Sequence, residues 1–275
     1  MIDLEKMTAQ YREEGYSGLL AEARVCQDII LKAISESSMS RNVTIKGGVV
    51  MRSITGDARR ATRDTDLDFI KYSIDEPSIR KFIKKLNCLE GITISISGPI
   101  EELSQQEYRG KRVWALISDD AGNSLKTKMD LGVHKNIQIE QEEFCFDVCH
   151  DDDGVNLLMN SKEQIFAEKL RALVKFGTFS GRVKDVFDLC YLSDYTDSEK
   201  LMKCIQTYIL DDEEMFENNM GDIQRRVDKV FQDNDFRKTV ENSGRDNWLR
   251  VKTTVAFDKI RGLRGRSPLK NLCFC

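Results

Sequence analysis

The stretch Lys46-Gly47-Gly48, followed downstream by Asp64-Thr65-Asp66-Leu67-Asp68, decides the fold of this chain. Residues 42–45, before the glycine pair, are typical of a short strand, and the apolar run 49–54 after it is typical of the start of a helix. The glycine pair is therefore predicted to form a strand-to-helix turn, where glycine lets backbone N–H groups approach an anion closely. Taken alone, such a pair is most often only a turn.

Two carboxylates, those of Asp64 and Asp66, stand one residue apart at the head of an apolar strand. In a strand, residues i and i+2 share a face, and Asp68 shares that face one step further on. Mg²⁺ prefers hard oxygen ligands and is usually held by one or two carboxylates together with substrate phosphates. The pattern therefore predicts a site for an NTP with Mg²⁺ or Mn²⁺.

In this order, the residues resemble a known family. The run from Lys46 through Gly56, Arg60, Thr62 and the aspartates resembles the signature of the AbiEii/AbiGii-type nucleotidyltransferase toxins, which belong to the polymerase β-like nucleotidyltransferase superfamily. Two later runs, residues 168–173 and 182–189, resemble the family's Lys-containing helix and its Arg-x-x-Asp-x-x-Asp-Leu helix. The departures are Val-Val-Met in place of Thr-Ala-Leu after the glycines, and Thr65 in place of an apolar residue.

The resemblance implies an α+β fold, with a mixed β-sheet flanked by helices and a helical bundle after it. We expect a nucleotidyltransferase core with an N-terminal helix over residues 1–155, and a C-terminal helical domain over residues 156–275 that completes the active site. The implied activity is metal-dependent transfer of an NMP from an NTP to RNA, at the 3′ end of a tRNA. The implied role is that of the toxin of a toxin–antitoxin or abortive infection system, with an AbiEi-like antitoxin as genetic partner.

Two alternatives stay open. One is a nucleotidyltransferase that modifies a small molecule such as an antibiotic, and the other is a nucleotide-binding module that transfers nothing. The sequence does not select the NTP, because base choice depends on pocket contacts that no motif records.

The site residues follow from the motifs. Metal ligands are predicted at Asp64, Asp66 and Asp130, and these residues also count as catalytic. Nucleotide binding is predicted for the turn and the loop after it, and for two helical positions, at Lys46, Gly47, Gly48, Arg60, Thr62, Lys169 and Asp188. Lys169 and Asp185 complete the predicted catalytic set.

Asp130 belongs to a strand predicted over residues 125–133, where it shares one face with Lys126 and Lys128. In polymerase β-like enzymes a third acid from a neighbouring strand completes the metal site, and the resemblance makes Asp130 the candidate. The alternative is an exposed acid on an edge strand.

In the second half of the chain, Ser161 and Gln164 form a capping-box start to a helix that carries Lys169. Asp185 and Asp188 stand at i and i+3 on the next helix, where they could orient Lys169 or bind base or ribose. By composition alone, Lys169 is an ordinary exposed lysine.

Composition agrees with a cytoplasmic enzyme. The chain has 275 residues, 32% of them charged, and lacks both a membrane-spanning stretch and a signal-peptide layout. A net charge of −4 argues against a generally basic nucleic-acid binder, although basic residues gather locally. These gatherings are Arg59/Arg60/Arg63, Arg109/Lys111/Arg112 and the tail 259–266, a frayed end or an RNA-facing arm.

Overall fold

The computed structural model of the protein describes residues 2–103, 110–149, 151–179 and 181–262. The chain divides into two compact units, with the division between Asn160 and Ser161. Arg109 and the basic tail beyond residue 262 lie outside the described residues.

The first unit contains an eight-stranded mixed sheet. The strands are β1 (Val43–Lys46), β2 (Thr65–Phe69), β3 (Ile92–Ile96), β4 (Glu101–Leu103), β5 (Gly110–Asp119), β6 (Ser124–Val133), β7 (Glu142–Val148) and β8 (Asp151–Met159). Their order is β3-β5-β6-β2-β1-β8-β7, with β4 paired to β5. The pairs β2–β6 and β1–β8 are parallel and the others antiparallel, so the expected mixed α+β architecture is confirmed.

Four helices accompany the sheet in the described part of this unit: α1 (Leu4–Glu13), α2 (Gly18–Glu36), α3 (Gly47–Thr55) and α4 (Glu76–Lys85). Helix α4 starts where the sequence predicts an N-cap, because the Asp75 carboxylate accepts the N–H of Ser78 at 2.7 Å and Pro77 occupies the first turn. On its buried side, Phe82 meets Phe69 of β2 edge-on, with ring centroids 5.0 Å apart. Helix α4 therefore covers the face of the sheet that carries the odd-numbered residues of β2.

The two faces of the sheet differ sharply. Along β5 the residues Val113, Ala115 and Ile117 are fully buried, as are Met129 and Leu131 of β6. The residues between them are more exposed and mostly polar. This period of two is what a strand shows when one face packs against a core and the other faces solvent.

The described residues of the second unit form helices and the loops between them, with no strand. Its helices are α5 (Lys162–Phe176), α6 (Val183–Leu192), α7 (Ser198–Ile205), α8 (Met220–Gln232), α9 (Asn234–Glu241) and α10 (Thr253–Arg261), with a π-helical turn at Gln206–Leu210. Helix α5 begins as predicted, because the Ser161 hydroxyl accepts the N–H of Gln164 at 3.1 Å. The core includes stacked Phe231 and Phe257, with centroids 3.9 Å apart.

Several expectations need correction. The glycine pair opens α3 and does not form a separate turn, because β1 ends at Lys46 and the helix starts at Gly47. The strands β7 and β8 and helix α9 have no counterpart in the sequence-based prediction. Strand β6 is an interior strand, paired on both sides, so the alternative that places Asp130 on an edge strand is wrong.

Candidate active site

A row of charged side chains runs across four neighbouring strands on the open face of the sheet. The row begins with Lys46 on β1, which is paired in register with Asp66 on β2. It continues on β6 with Asp130, the partner of Asp66, and ends on β5 with Arg112, the partner of Asp130. Paired positions on adjacent strands present their side chains on the same face, so residues far apart in sequence lie side by side.

Each end of this row is fixed by ion pairs. Arg112 donates two parallel hydrogen bonds to Asp130, from Nε to Oδ1 at 2.8 Å and from Nη2 to Oδ2 at 2.8 Å. The hydrogen bond to the carboxylate raises the pKa of Arg112. Lys46 Nζ lies 2.7 Å from Asp68 Oδ1, and Lys128 Nζ lies 2.7 Å from Asp64 Oδ2. Three carboxylates, those of Asp64, Asp68 and Asp130, are therefore each held in place by a basic side chain.

Glycines leave the room that the carboxylates occupy. A Cβ on Gly47 would lie 2.3 Å from Asp66 Oδ2, and Gly47 has a φ of +63°. A Cβ on Gly132 would lie 2.1 Å from Asp68 Oδ1 and 3.3 Å from Lys46 Nζ. The carboxylates of Asp66 and Asp68 therefore occupy the space that a side chain at Gly47 or Gly132 would fill.

The loop between α3 and β2 carries the predicted residues Arg60 and Thr62. A Cβ on Gly48 would lie 2.6 Å from Cβ of Thr62, so Thr62 packs on the start of α3. Arg60 is buried. From α2, the Gln27 side chain donates to the carbonyl oxygens of Thr62 at 3.0 Å and Asp64 at 3.4 Å. This support fixes the backbone on which the first carboxylate stands.

Sequence reasoning missed Gln27 and Gly132. Gly132 had a readable signal, because an isolated glycine inside a strand pattern often marks a close approach of another group. Gln27 had none, since a glutamine within an apolar helix carries no signal about what it supports.

The predicted metal ligands suit Mg²⁺ by their chemistry. Asp64, Asp66 and Asp130 offer hard carboxylate oxygens on one face, and two of them are in register on adjacent strands. Within the described residues, no three His, Cys, Asp or Glu side chains converge closely enough to form a metal site on protein ligands alone. Mg²⁺ is usually bound by one or two carboxylates together with substrate phosphates, so it needs fewer protein ligands than such a cluster supplies. The set therefore fits the cation, and the ligand assignment stays a prediction.

The second unit holds a compact polar cluster around Lys169 on α5. Its ammonium group pairs with Asp185 and lies 2.9 Å from Oδ2 of Asp188, both on α6. Trp248 donates its Nε1–H to Asp188 Oδ1 at 3.0 Å. Lys169 is only 12% exposed, so the expectation of an ordinary exposed lysine is wrong.

Burial separates the roles of the two acids. Asp188 is fully buried, and its two oxygens meet Lys169 and Trp248. This arrangement suits a residue that orients Lys169, and it does not support the predicted contact of Asp188 with a nucleotide. Asp185 is 18% exposed at its side chain and so remains open to a ligand. No sequence pattern had pointed to Trp248 as part of this cluster.

A strand leading through two glycines into a helix, beside strands that carry aligned carboxylates, is the arrangement of a nucleotidyltransferase. The family model described as "Nucleotidyl transferase AbiEii toxin, Type IV TA system" matches residues 29–260. The chain belongs to this AbiEii nucleotidyltransferase family and is a nucleotidyltransferase.

Two solved structures are similar to this chain. One is an antigenic nucleotidyltransferase-like protein from Paracoccidioides brasiliensis, with 15% identity, a TM-score of 0.46, and coverage of 86% of this chain and 97% of that chain. The other is the antibiotic-resistance factor ANT(2'')-Ia, with 16% identity, a TM-score of 0.41, and coverage of 68% and 90% respectively. The comparison with curated proteins found no match. In the described part of the chain, every helix is too short or too polar to cross a bilayer.

Proposed function

We propose that the protein transfers an NMP from an NTP to RNA, at the 3′ end of a tRNA, in a reaction that depends on Mg²⁺ or Mn²⁺. We further propose that it acts in the cytoplasm as the toxin of a toxin–antitoxin pair whose genetic partner is an AbiEi-like antitoxin. The observation that carries the transfer proposal is the row of paired charges from Lys46 to Arg112, with Asp66 set against Gly47. The family match supports the toxin role.

In this proposal Asp64, Asp66 and Asp130 hold the cation, which supplies neutralising charge and polarises the α-phosphate when bound. Gly47 and Gly48, at the start of α3, offer backbone N–H groups to the phosphates.

The acceptor hydroxyl oxygen attacks the α-phosphorus and the bond to the bridging oxygen breaks, so pyrophosphate leaves. The hydroxyl proton passes to a carboxylate on the open face, for which Asp130 is the candidate. As the family motif implies, Lys169 neutralises charge on the leaving group, while the buried Asp188 orients Lys169 and the more exposed Asp185 takes part in the reaction.

The test uses purified protein, Mg²⁺, total tRNA and each α-³²P-labelled NTP in turn. We expect one NTP to label RNA in the presence of Mg²⁺ and not in the presence of EDTA. The variant Asp66→Ala loses the label, because the row loses its central carboxylate. The matched control is Asp152→Ala, which removes an exposed acid of β8 and keeps full labelling.

A wild-type protein that releases pyrophosphate without labelling RNA would overturn the RNA acceptor and favour a small molecule. A protein that binds NTP and releases no pyrophosphate with any acceptor would overturn transfer itself. The toxin role has a separate test, because expression of the wild type should halt growth while Asp66→Ala should not.

A further inference from the structure

On the open face of β5 and β6, a basic and aromatic surface lies beyond the row of charged side chains that runs from Lys46 to Arg112. Trp114 is paired with Lys128, one step beyond the Arg112–Asp130 pair, and Leu116 is paired with Lys126, one step further. We call these four residues, Trp114, Leu116, Lys126 and Lys128, the Trp114 strip. Lys126, at the far end of the strip, lies about 13 Å along β6 from Asp130, since a strand rises about 3.3 Å per residue.

The strip has the composition of a single-stranded nucleic-acid platform. The Lys126 ammonium lies 5.0 Å from the centroid of the Trp114 ring. Lys126 is exposed, and Trp114, Leu116 and Lys128 are half-buried on the same face. Nonspecific single-strand binding combines cations that follow the phosphates with an aromatic ring on which a base stacks.

The neighbouring strand adds hydroxyl groups to this face. Ser95 of β3 is paired with Leu116, and Thr93 is paired with Ser118, and both β3 residues are exposed. Hydroxyl groups contribute contacts to phosphate and sugar without selecting a base. Glu101 of β4 is paired with Arg112 and so lies beside the Arg112 end of the strip.

The charge on the strip is local. The chain as a whole carries −4, yet the strip holds two lysines and no acid among its four members. Lys128 is partly committed to Asp64, at 2.7 Å, so Lys126 is the cation best placed for a phosphate. A base that stacks on Trp114 would displace the Lys126 ammonium group from the face of the ring. The long lysine side chain would then lie near the phosphate attached to that base.

We propose that the Trp114 strip binds the single-stranded 3′ end of the acceptor RNA and directs its terminal hydroxyl toward the row that contains Asp66 and Asp130. A base stacks on Trp114, and Lys126 contacts the backbone phosphate. This inference rests on the proposed function, because it gives that reaction its acceptor site. The strip reads the single strand by stacking and charge, so it accepts any base at the stacked position.

Intrinsic fluorescence offers a direct test, because the chain has two tryptophans and the other one, Trp248, is 2% exposed. A short single-stranded oligoribonucleotide is titrated into the protein without NTP, and both tryptophan quenching and anisotropy of a fluorescein-labelled copy are followed. We expect quenching in the wild type, from Trp114. Stacking on an aromatic side chain is worth enough that Trp114→Leu should weaken binding between about fivefold and about 150-fold.

Three further variants sharpen the result. Trp114→Phe keeps a ring and should recover most of the affinity, which a merely structural role of the tryptophan does not predict. Lys126→Ala should lower the slope of log K against log salt by about 0.7, the value for one phosphate contact on a single strand. Lys81→Ala is the control, because Lys81 is exposed on α4, the helix that covers the opposite face of the sheet.

The outcomes separate this inference from the proposed function. Suppose that the wild type labels RNA and that Trp114→Leu binds and labels it with an unchanged KM for RNA. The proposed RNA binding by the strip is then wrong, and the transfer proposal stands. If the oligonucleotide quenches Trp114 while no RNA is ever labelled, the strip stands and the transfer proposal falls. If duplex RNA or a protein quenches Trp114 as strongly as the single strand, the assignment to a single-stranded end is overturned. Circular dichroism confirms that each variant is folded.

Discussion

At the scale of single residues, two glycines leave the space that the carboxylates of Asp66 and Asp68 occupy. Gly47 and Gly132 each stand where a Cβ would overlap a carboxylate oxygen, of Asp66 and Asp68 respectively. Such distances are far inside van der Waals contact, so even alanine would push the carboxylate aside. The positions of these glycines therefore set the positions of the acids.

Gly47→Ala should reduce transfer by at least about 100-fold, because a displaced reacting group costs about that much. The variant also strains the backbone at φ +63°, which costs on the order of 1 kcal/mol of stability. Gly56→Ala separates the two effects, because Gly56 has the same φ and a Cβ there meets nothing within 4 Å. Steady-state kinetics and urea unfolding of both variants give the comparison. Equal losses of activity would show that strain alone is responsible.

A second residue-scale feature is a buried ion pair away from the row. Asp28 on α2 is 1% exposed, lies 3.3 Å from Arg24 Nη1, and accepts the hydroxyl of Tyr11 and the N–H of Cys149. Burial raises the pKa of Asp28 to about 6, although Arg24 acts in the opposite direction. The carboxylate is therefore charged near neutral pH at the cost of desolvation.

Asp28→Asn removes a group that titrates differently in the folded and unfolded states, so the difference in free energy of unfolding between wild type and variant should depend on pH. The folded pKa lies above the ordinary value of 3.8, so the folded state binds the proton first as pH falls. The contribution of Asp28 to stability therefore rises as pH falls from about 7 to about 4, so the wild type should gain stability relative to the variant over this range. Urea unfolding at several pH values measures it. A wild type that loses stability relative to the variant as pH falls from about 7 to about 4 would contradict the raised pKa.

At the scale of elements, helices α5 and α6 are joined by one lysine and two acids. Lys169 on α5 meets Asp185 and Asp188, which lie one turn apart on α6. The acids share a partner and differ in burial, since Asp188 is fully buried and Asp185 is not. This pair of positions allows the structural and the chemical contributions to be separated.

Asp188→Asn should destabilise the protein by about 3–5 kcal/mol, the usual cost of removing one partner from a buried pair. Asp185→Asn should cost about 1 kcal/mol or less, because its side chain reaches solvent and Asp188 still holds Lys169. Urea unfolding followed by Trp248 fluorescence reports on both, since Trp248 donates to Asp188. If Asp185→Asn is stable and loses transfer activity, it acts in the reaction. Similar destabilisation by both changes would contradict the ranking by burial.

At the scale of the whole molecule, the predicted site residues are divided between two units. Asp64, Asp66 and Asp130 lie in the first unit, and Lys169 and Asp185 lie in the second, while the family match extends across both. Within the first unit, the strand order brings the site residues together, because β2 and β6 are far apart in the sequence and are neighbours in the sheet. The overall charge of −4 says little about the face that carries the lysines of the Trp114 strip.

Much of the fold follows from local sequence signals. The N-cap residues Asp75 and Ser161 start α4 and α5, and the period-two pattern over residues 125–133 locates β6 as predicted. These features are set by nearest neighbours along the chain, through capping and side-chain alternation, so they can be read from one sequence. The prediction failed at β7 and β8, where the strands are irregular and acidic and a register shift interrupts their pairing.

By itself, the sequence determined the family, the mixed α+β class, and the chemical types of the candidate site at Gly47, Asp64 and Asp66. These depend on motif order and on strand and helix periodicity, which are local. Only the tertiary structure decided that Asp130 stands in register with Asp66 on an interior strand, that Arg112 grips it, and that Asp188 is buried beneath Lys169. Strand order and burial arise from long-range packing, and the same local pattern is compatible with many partners until the chain is folded.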